Sequence, residues 1–428
     1  MKTFLVFAVI ASFTLCALPA MAAQGFQAAA TVRVITPDPL LPLSAGAGAP
    51  REVKEQKGDL FVRTLVVQQA DTRVAFVSVD ALGWPGVLCE RVRDRIDAVP
   101  GDNVLIGATH THSAPDTYGF PDMKGGTGAD LTWIDWVCDQ MAQSVEEAAS
   151  NLKPAVLKVA VGEAKGKIAY NYYAPQLYDP RCGVIQVAER GFSGENIATL
   201  VNYAIHPEIL LNQPILGPDL CGPMYERIEE QTGGVAIFFN SAQGGMVTAD
   251  NRKPDGGHLN TWEECVRIGT ALADEALRIV ADAESQSKPT LYCAAKTVDF
   301  PIDSKLMRDM LQRSPLSNEA IADDEPALPT QLNLVNLGTA QILTLPGEVL
   351  PNIGYYLKRN MPAKHPLLFG LTNEAFGYIM LKEDFNSFER YDYISQTSLG
   401  EMTGEILIEA LLDMLKAHPT PDGAPETD

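Results

Sequence analysis

Apolar and polar positions alternate in blocks between about residue 60 and residue 280. "LFVRTLVVQQ" and "RVAFVSVDAL" are runs of β-branched and apolar residues and predict strands. "VLCERVRDRIDAV" changes the period: Val87, Leu88, Val92 and Ile96 fall on one side of a helix. "NVLIGATHTH" returns to a strand. "LTWIDWVCDQMAQSVEEAASNL" is a long amphipathic helix. "AVLKVAVGEA", "CGVIQVAE" and "ATLVNYAIH" are further strands, and "MYERIEEQTGG" is a helix stopped by glycine. "VAIFFNSAQGG" is a buried strand running into a glycine loop, and "NTWEECVRIGTALADEALRIVADA" is a second long helix. This order predicts a layered α/β domain, a mixed β-sheet with flanking helices. Later, "LNLVNLGTAQILTLPGEV" predicts a hairpin turning near Gly338. No sequence repeat is visible. The stretch "SPLSNEAIADDEPALP" is the one weak internal boundary, and "HPTPDGAPETD", residues 418–428, is polar and Pro-rich enough to form a loose tail.

The N-terminus departs from this pattern. Lys2 precedes a short apolar stretch and an Ala20-Met21-Ala22 pattern, the layout of a cleavable signal peptide over residues 1–22. The expected product is a secreted or periplasmic protein with a single domain over 23–417 and no stable membrane anchor. The net charge of −21 becomes −22 without Lys2's single positive charge. So acidic a surface repels phosphate backbones, and nucleic acid is excluded as a partner. Six cysteines remain after the leader: Cys89, Cys138, Cys182, Cys221, Cys265 and Cys293. Export permits disulfides, so at least one is expected, with the pairing left open.

Six histidines are present in all, and two stand together in "GATHTHSAPD". If the strand runs through them, His110 and His112 share one face. They are either polar residues at a strand end or metal ligands. His206 ends another apolar strand, "LVNYAIHPEIL", at a Pro207 junction. Alone it reads as a hydrogen-bonded core histidine; beside His110 it reads as a third imidazole converging on a metal. Glu348, in "LTLPGEVLPNIG", is either a helix cap or a buried ligand. Tyr378, in "NEAFGYIM", is by default a packing aromatic. Metallo-β-lactamase-like and urease-like arrangements fit poorly, because no further histidines or charged ligands stand at the required spacings.

"GATHTHSAPD", "NYAIHPEIL" and "LPGEV" resemble, in order, blocks of the neutral/alkaline non-lysosomal ceramidase family, in its N-terminal catalytic domain. "GPDLCG", "NSAQGGMVTADN", "NEAFGYIM" and "ERYDY" match more loosely, over roughly residues 30 to 410. The resemblance implies a zinc-dependent amidohydrolase with one Zn2+ per chain, held by His110, His206, Glu348 and Tyr378. His112 would lie by the substrate and the metal-activated water and carry protons. Gly244 and Gly245 would offer backbone N–H groups to the oxyanion, Asp219 would orient a histidine, and Asn171, Tyr172 and Tyr391 would face the substrate. Two departures stand out. "GGMVT" replaces the family's Gly-Asp-Val-Ser-Pro, so no serine aligns and Thr248 is displaced by one position. Tyr172 replaces an arginine that holds the polar part of ceramide. A protein lacking the family's C-terminal β-sandwich is expected. The expected partner is therefore a small-molecule or lipid-like amide, ceramide-like in bond type. An esterase or lactonase on the same scaffold, or a zinc-scaffold binding protein without turnover, are the alternatives.

Overall fold

A computed structural model describes residues 25–44, 50–121, 126–191, 194–316 and 326–425. The expected signal peptide and the central part of the acidic loop lie outside the described residues. Eight main strands build the larger sheet: β1 (Gln27–Val34), β2 (Phe61–Gln69), β3 (Thr72–Val79), β4 (Val104–Ala108), β5 (Lys153–Glu163), β6 (Arg181–Glu189), β7 (Asn196–Tyr203) and β8 (Val235–Asn240). Their order is β8-β7-β6-β5-β1-β2-β3-β4, with Ser285–Gln286 added beside β5. The outermost pairs, β3/β4 and β7/β8, are parallel, and the pairs between them are antiparallel.

The chain runs through one order of elements twice. Three strands, a helix, a strand and a long helix come first, with α1 (Gly86–Arg93) and α2 (Leu131–Ser150). The same order follows with α3 (Cys221–Thr232) and α4 (Trp262–Val280). No sequence repeat announced this, because a strand or helix needs only the right polarity pattern, which many sequences satisfy. The two halves meet through a short ladder, Gln27 opposite Pro154 and Ala28 opposite Lys153. So short a join lets the sheet fold back on itself. The outer strands of the two halves then touch: Ser78 Oγ donates to Phe238 O at 2.6 Å, and Asn240 Nδ2 to Thr109 O at 3.2 Å.

Alternation along the strands sorts side chains into layers. Val62, Val66, Ala75, Val77 and Val79 pack under α1 and α2 with Leu88, Ile134 and Met141. Leu65, Val67, Val74 and Phe76 point the other way, onto a second sheet. That sheet runs in the order β9 (Leu291–Pro301), β10 (Ala327–Leu337), β11 (Ala340–Thr344), β12 (His365–Phe369). Its outer face carries α5 (Lys305–Arg313), α6 (Pro351–Asn360) and α8 (Thr403–Ala417), a short α7 (Asp392–Gln396) lying nearer the functional site. The layers are therefore helix, sheet, sheet, helix. The expected hairpin is present: β10 and β11 turn through Gly338, whose φ of +54° suits glycine.

Two expectations fail here. All six described cysteines are free thiols. Five are buried: Cys89 and Cys138 under the first helix pair, and Cys182, Cys221 and Cys265 under the second. They fill core space as small apolar groups, and burial pushes the Cys138 and Cys182 thiols up to about 12. The tail is not loose either. Over its described part, Asn336 Nδ2 donates to Pro419 O at 2.6 Å, and Thr290 donates from its backbone N–H to Asp422 at 2.8 Å. Among the described residues no helix is long and apolar enough to cross a membrane.

Candidate metal centre

The site forms where the loops after β3, β4, β7 and β8 meet. The strand carrying the histidine motif ends at Ala108, and His110 has φ +72°. The two histidines therefore do not share a strand face by alternation, as the sequence predicted. A left-handed turn brings them together instead, with ring centroids 4.8 Å apart. His110 Nδ1 is tied to Leu82 O at 2.5 Å, and His206 Nδ1 to Val247 O at 2.8 Å. Each carbonyl fixes the ring so that Nε2 turns inward, the usual outer support of a metal-binding imidazole.

Glu348 arrives from the second sheet. It pairs directly opposite Tyr378 in a short parallel ladder, Glu348–Val349 against Tyr378–Ile379. Its Oε2 lies 2.9 Å from His206 Nε2 and 3.5 Å from His110 Nε2. Gly244 makes this approach possible. A Cβ there would stand 2.1 Å from Glu348 O, and the Gly244 N–H donates to Val349 O at 2.9 Å. His110, His112 and His206 offer ring nitrogens all within 4.8 Å of one another, and His112 Nε2 is 3.3 Å from His110 Nε2. Ligand atoms at the corners of a zinc tetrahedron with bonds of about 2.0 Å sit roughly 3.3 Å apart. The separations of Glu348 from the two histidines, and that of His112 from His110, match that scale, so the donors fit such an ion in chemistry and, for these pairs, in spacing.

Charge follows from this crowding. Burial alone would raise the Glu348 carboxyl, but hydrogen bonds and charge contacts with His110 and His206 hold it well below the usual range. Burial works against a charged His206, yet Glu348 raises it to about 9. His112 is driven the other way, first by burial and then by its two neighbouring imidazoles. Tyr378 is buried, its hydroxyl pushed up by that burial and by Glu348, and it donates to Met246 Sδ at 3.3 Å.

A cleft of about 1050 Å3, its open mouth included, leads to this cluster. His110, His112, Glu348 and Tyr378 form its polar end. Met307, Met310 and Leu311 of α5, with Leu316, Leu328 and Phe376, make an apolar wall.

No family model matches the chain. The neutral ceramidase of Pseudomonas aeruginosa is 23% identical over 270 residues, covering 56% of this chain. That match spans only 39% of the relative's own length. The crystal structure of neutral ceramidase from Pseudomonas aeruginosa superposes with a TM-score of 0.75 at 18% identity, over 95% of this chain and 77% of that one. A structure of ceramidase complexed with C2 gives 0.75 at 17%, over 94% and 77%. The chain has the neutral ceramidase fold. The resemblance read from the histidine and Pro-Gly-Glu motifs is thus supported by an overall sequence match and by the layered architecture.

Within this ceramidase-like frame, several expected residues are placed differently from their expected roles. Asp219 orients no histidine. Its carboxylate accepts from Leu210 N at 2.9 Å and Leu220 N at 2.7 Å, bracing the loop after His206, while carbonyls hold the imidazoles. Asn171 is spent on its own loop: Oδ1 accepts from Tyr173 N and Ala174 N, and Nδ2 donates to Leu177 O. Tyr172 is 58% exposed and rests on Tyr173. Tyr391 packs against Tyr173 at 5.5 Å, and it is Tyr393 that lines the cleft. The Gly244 N–H is occupied, so it offers nothing to an oxyanion; Gly245, at φ +66°, shapes the turn against Leu350. Val247 presents a carbonyl, not a hydroxyl, to His206. Sequence reading missed Leu82 and Val247, because a backbone carbonyl leaves no trace in residue identity. It also missed Tyr118, just past the histidine motif, and Glu374, which lies inside the quoted "NEAFGYIM" block but was passed over there for Tyr378; both line the cleft.

Proposed function

We propose that this protein is an exported zinc-dependent hydrolase of amide bonds, with residues 23–417 as its catalytic unit. The supporting observation is the convergence of His110, His206 and Glu348, with His112 and Tyr378 beside them, at the head of an apolar cleft on a ceramidase fold. His110, His206 and Glu348 would hold the ion, with Tyr378 as a fourth neighbour. A zinc ion there supplies Lewis-acid activation of water and of the scissile carbonyl.

The remaining chemistry belongs to the chain. The Leu82 and Val247 carbonyls keep the Nδ1 protons of His110 and His206 in place and aim the other nitrogens inward. His112 has a buried Nδ1 without a partner among the described residues. His112 would receive a proton and return it to the departing amine. Gly245 is left as the backbone donor for the developing oxyanion, since Gly244 is engaged. The apolar wall excludes water and takes the acyl or alkyl part of a lipid-like amide. The leader pattern around Ala20-Met21-Ala22 supports export.

The test is metal content and turnover on the purified mature protein. About one zinc per chain is expected, lost in His206→Ala, together with release of amine from an acyl-amide panel. Bound zinc with ester cleavage alone would make it an esterase on this scaffold. No zinc after incubation with the metal would sink the reading.

A further inference from the structure

The cleft holds a second carboxylate. Glu374 is 5% exposed and lies among Pro85, Val87, Ala375 and Phe376. One oxygen accepts from Ala375 N at 2.9 Å, and the other lies over Gly86 at the start of α1, whose N–H it accepts. Among the described residues no lysine, arginine or histidine pairs with it. Burial, only partly offset by those two N–H groups, raises its carboxyl to about 7. A buried acid without a counter-ion is costly, and holding Gly86 does not require one: a serine or asparagine caps a helix more cheaply. Each carboxylate oxygen has two acceptor positions and each accepts one N–H, which leaves capacity facing the cleft.

Tyr118 is a second polar residue of the cleft that the metal-centre motifs do not include. It lines the same cleft, and its hydroxyl lies over Gly83, where a Cβ would come within 1.9 Å of it. Burial, then the negative charges of Glu348 and Glu374, push its hydroxyl well above the usual range. Glu348, Tyr118 and Glu374 thus line the same cleft as the methionines and leucine of α5.

We propose that Glu374, with Tyr118, is a specificity-determining station that binds a hydrogen-bond donor, a hydroxyl or an amine, carried on the substrate's chain away from the scissile amide. The proposal rests on the reading of this cleft as the substrate site. A chain lacking such a donor leaves the acid buried and unpaired, and sites built to bond a polar group discriminate strongly against analogues lacking it.

The test is direct binding by calorimetry, which needs no turnover. Plain alkyl amides are compared with hydroxy- and amino-alkyl amides of matching length, the donor moved stepwise along the chain. At one donor position, binding at least about tenfold tighter than the plain amide is expected. Glu374→Leu should abolish the preference. Glu374→Gln should keep it for the hydroxyl and lose it for the amine, and Tyr118→Phe should weaken both. Thermal melting of each variant checks the α1 cap, and Tyr118→Phe leaves that cap intact should Glu374→Leu fail to fold. Equal binding of plain and donor-bearing amides at every position overturns the proposal. So does a preference that Glu374→Gln and Tyr118→Phe leave unchanged. Binding with the expected preference but no hydrolysis of any amide would sink the hydrolase reading alone.

Discussion

Gly244 and Asp219 are the single residues on which the site's geometry leans most. At Gly244 a methyl group would meet Glu348 O at 2.1 Å, a backbone contact that only a shift between the Gly244 and Glu348 segments can relieve. Gly244→Ala is expected to lower metal affinity by about 10- to 100-fold with the fold retained, read by metal titration beside circular dichroism. Asp219 is fully buried, and burial raises its carboxyl from 3.8 to about 6 against the pull of its backbone N–H partners. A folded value above the unfolded one means the native state binds the proton more tightly. Its contribution to stability is therefore greatest below about pH 4 and declines as pH rises through about 6. Asp219→Asn should flatten that part of the stability–pH curve, measured by denaturant melts across the window. A slope equal to the parent's would show that Asp219 is not protonated in the folded chain.

Among the elements, the loop from Asn171 to Leu177 and the ladder of Glu348 with Tyr378 bring the site's edges together. Asn171 makes three hydrogen bonds inside its own loop, so its removal should act on stability. Asn171→Ala is expected to cost about 1–3 kcal/mol, seen as a lower melting temperature, with the Kd for zinc little altered. A large loss of amide binding without loss of stability would return Asn171 to the substrate. The hairpin at Gly338, the helix ending at Gly233 and the two long helices were legible from period and punctuation. The route of His110 was not. Its motif looked like a strand end because the preceding five residues, Val104–Ala108, are all buried and apolar. What turns the chain is a positive φ held by the His110 N–H on Ala81 O, a contact made across the sheet.

For the whole molecule, the two halves of the larger sheet decide how sites form. His110 follows β4 and His206 follows β7, near opposite ends of the strand order. They meet because a join of two residue pairs lets the sheet fold back, and Asn240 then bonds to both Thr109 O and Ile205 O. The free cysteines belong to this scale as well. Titration of a chain beginning at residue 23, in denaturant without reductant, should give six thiols, and reductant should leave its melting temperature unchanged. Fewer thiols would mean that a pair such as Cys221 and Cys265, both in the second helix-pair core, closes after all.

By itself the sequence determined the elements, the layered class, the acidic surface and the residue types of the candidate metal site. Period and polarity are local properties, and the histidine and Pro-Gly-Glu motifs are short. Only the tertiary structure decided which partners those residues meet. Leu82 and Val247 act through carbonyls, which every residue carries. Asp219 and Asn171 brace loops, not a histidine or a substrate, because the fold sets backbone groups against their side chains. Glu374 became a cleft residue through the packing of its loop on the start of α1. A side chain's chemistry is written in its own identity, but the environment that sets its charge and role is assembled from residues far along the chain.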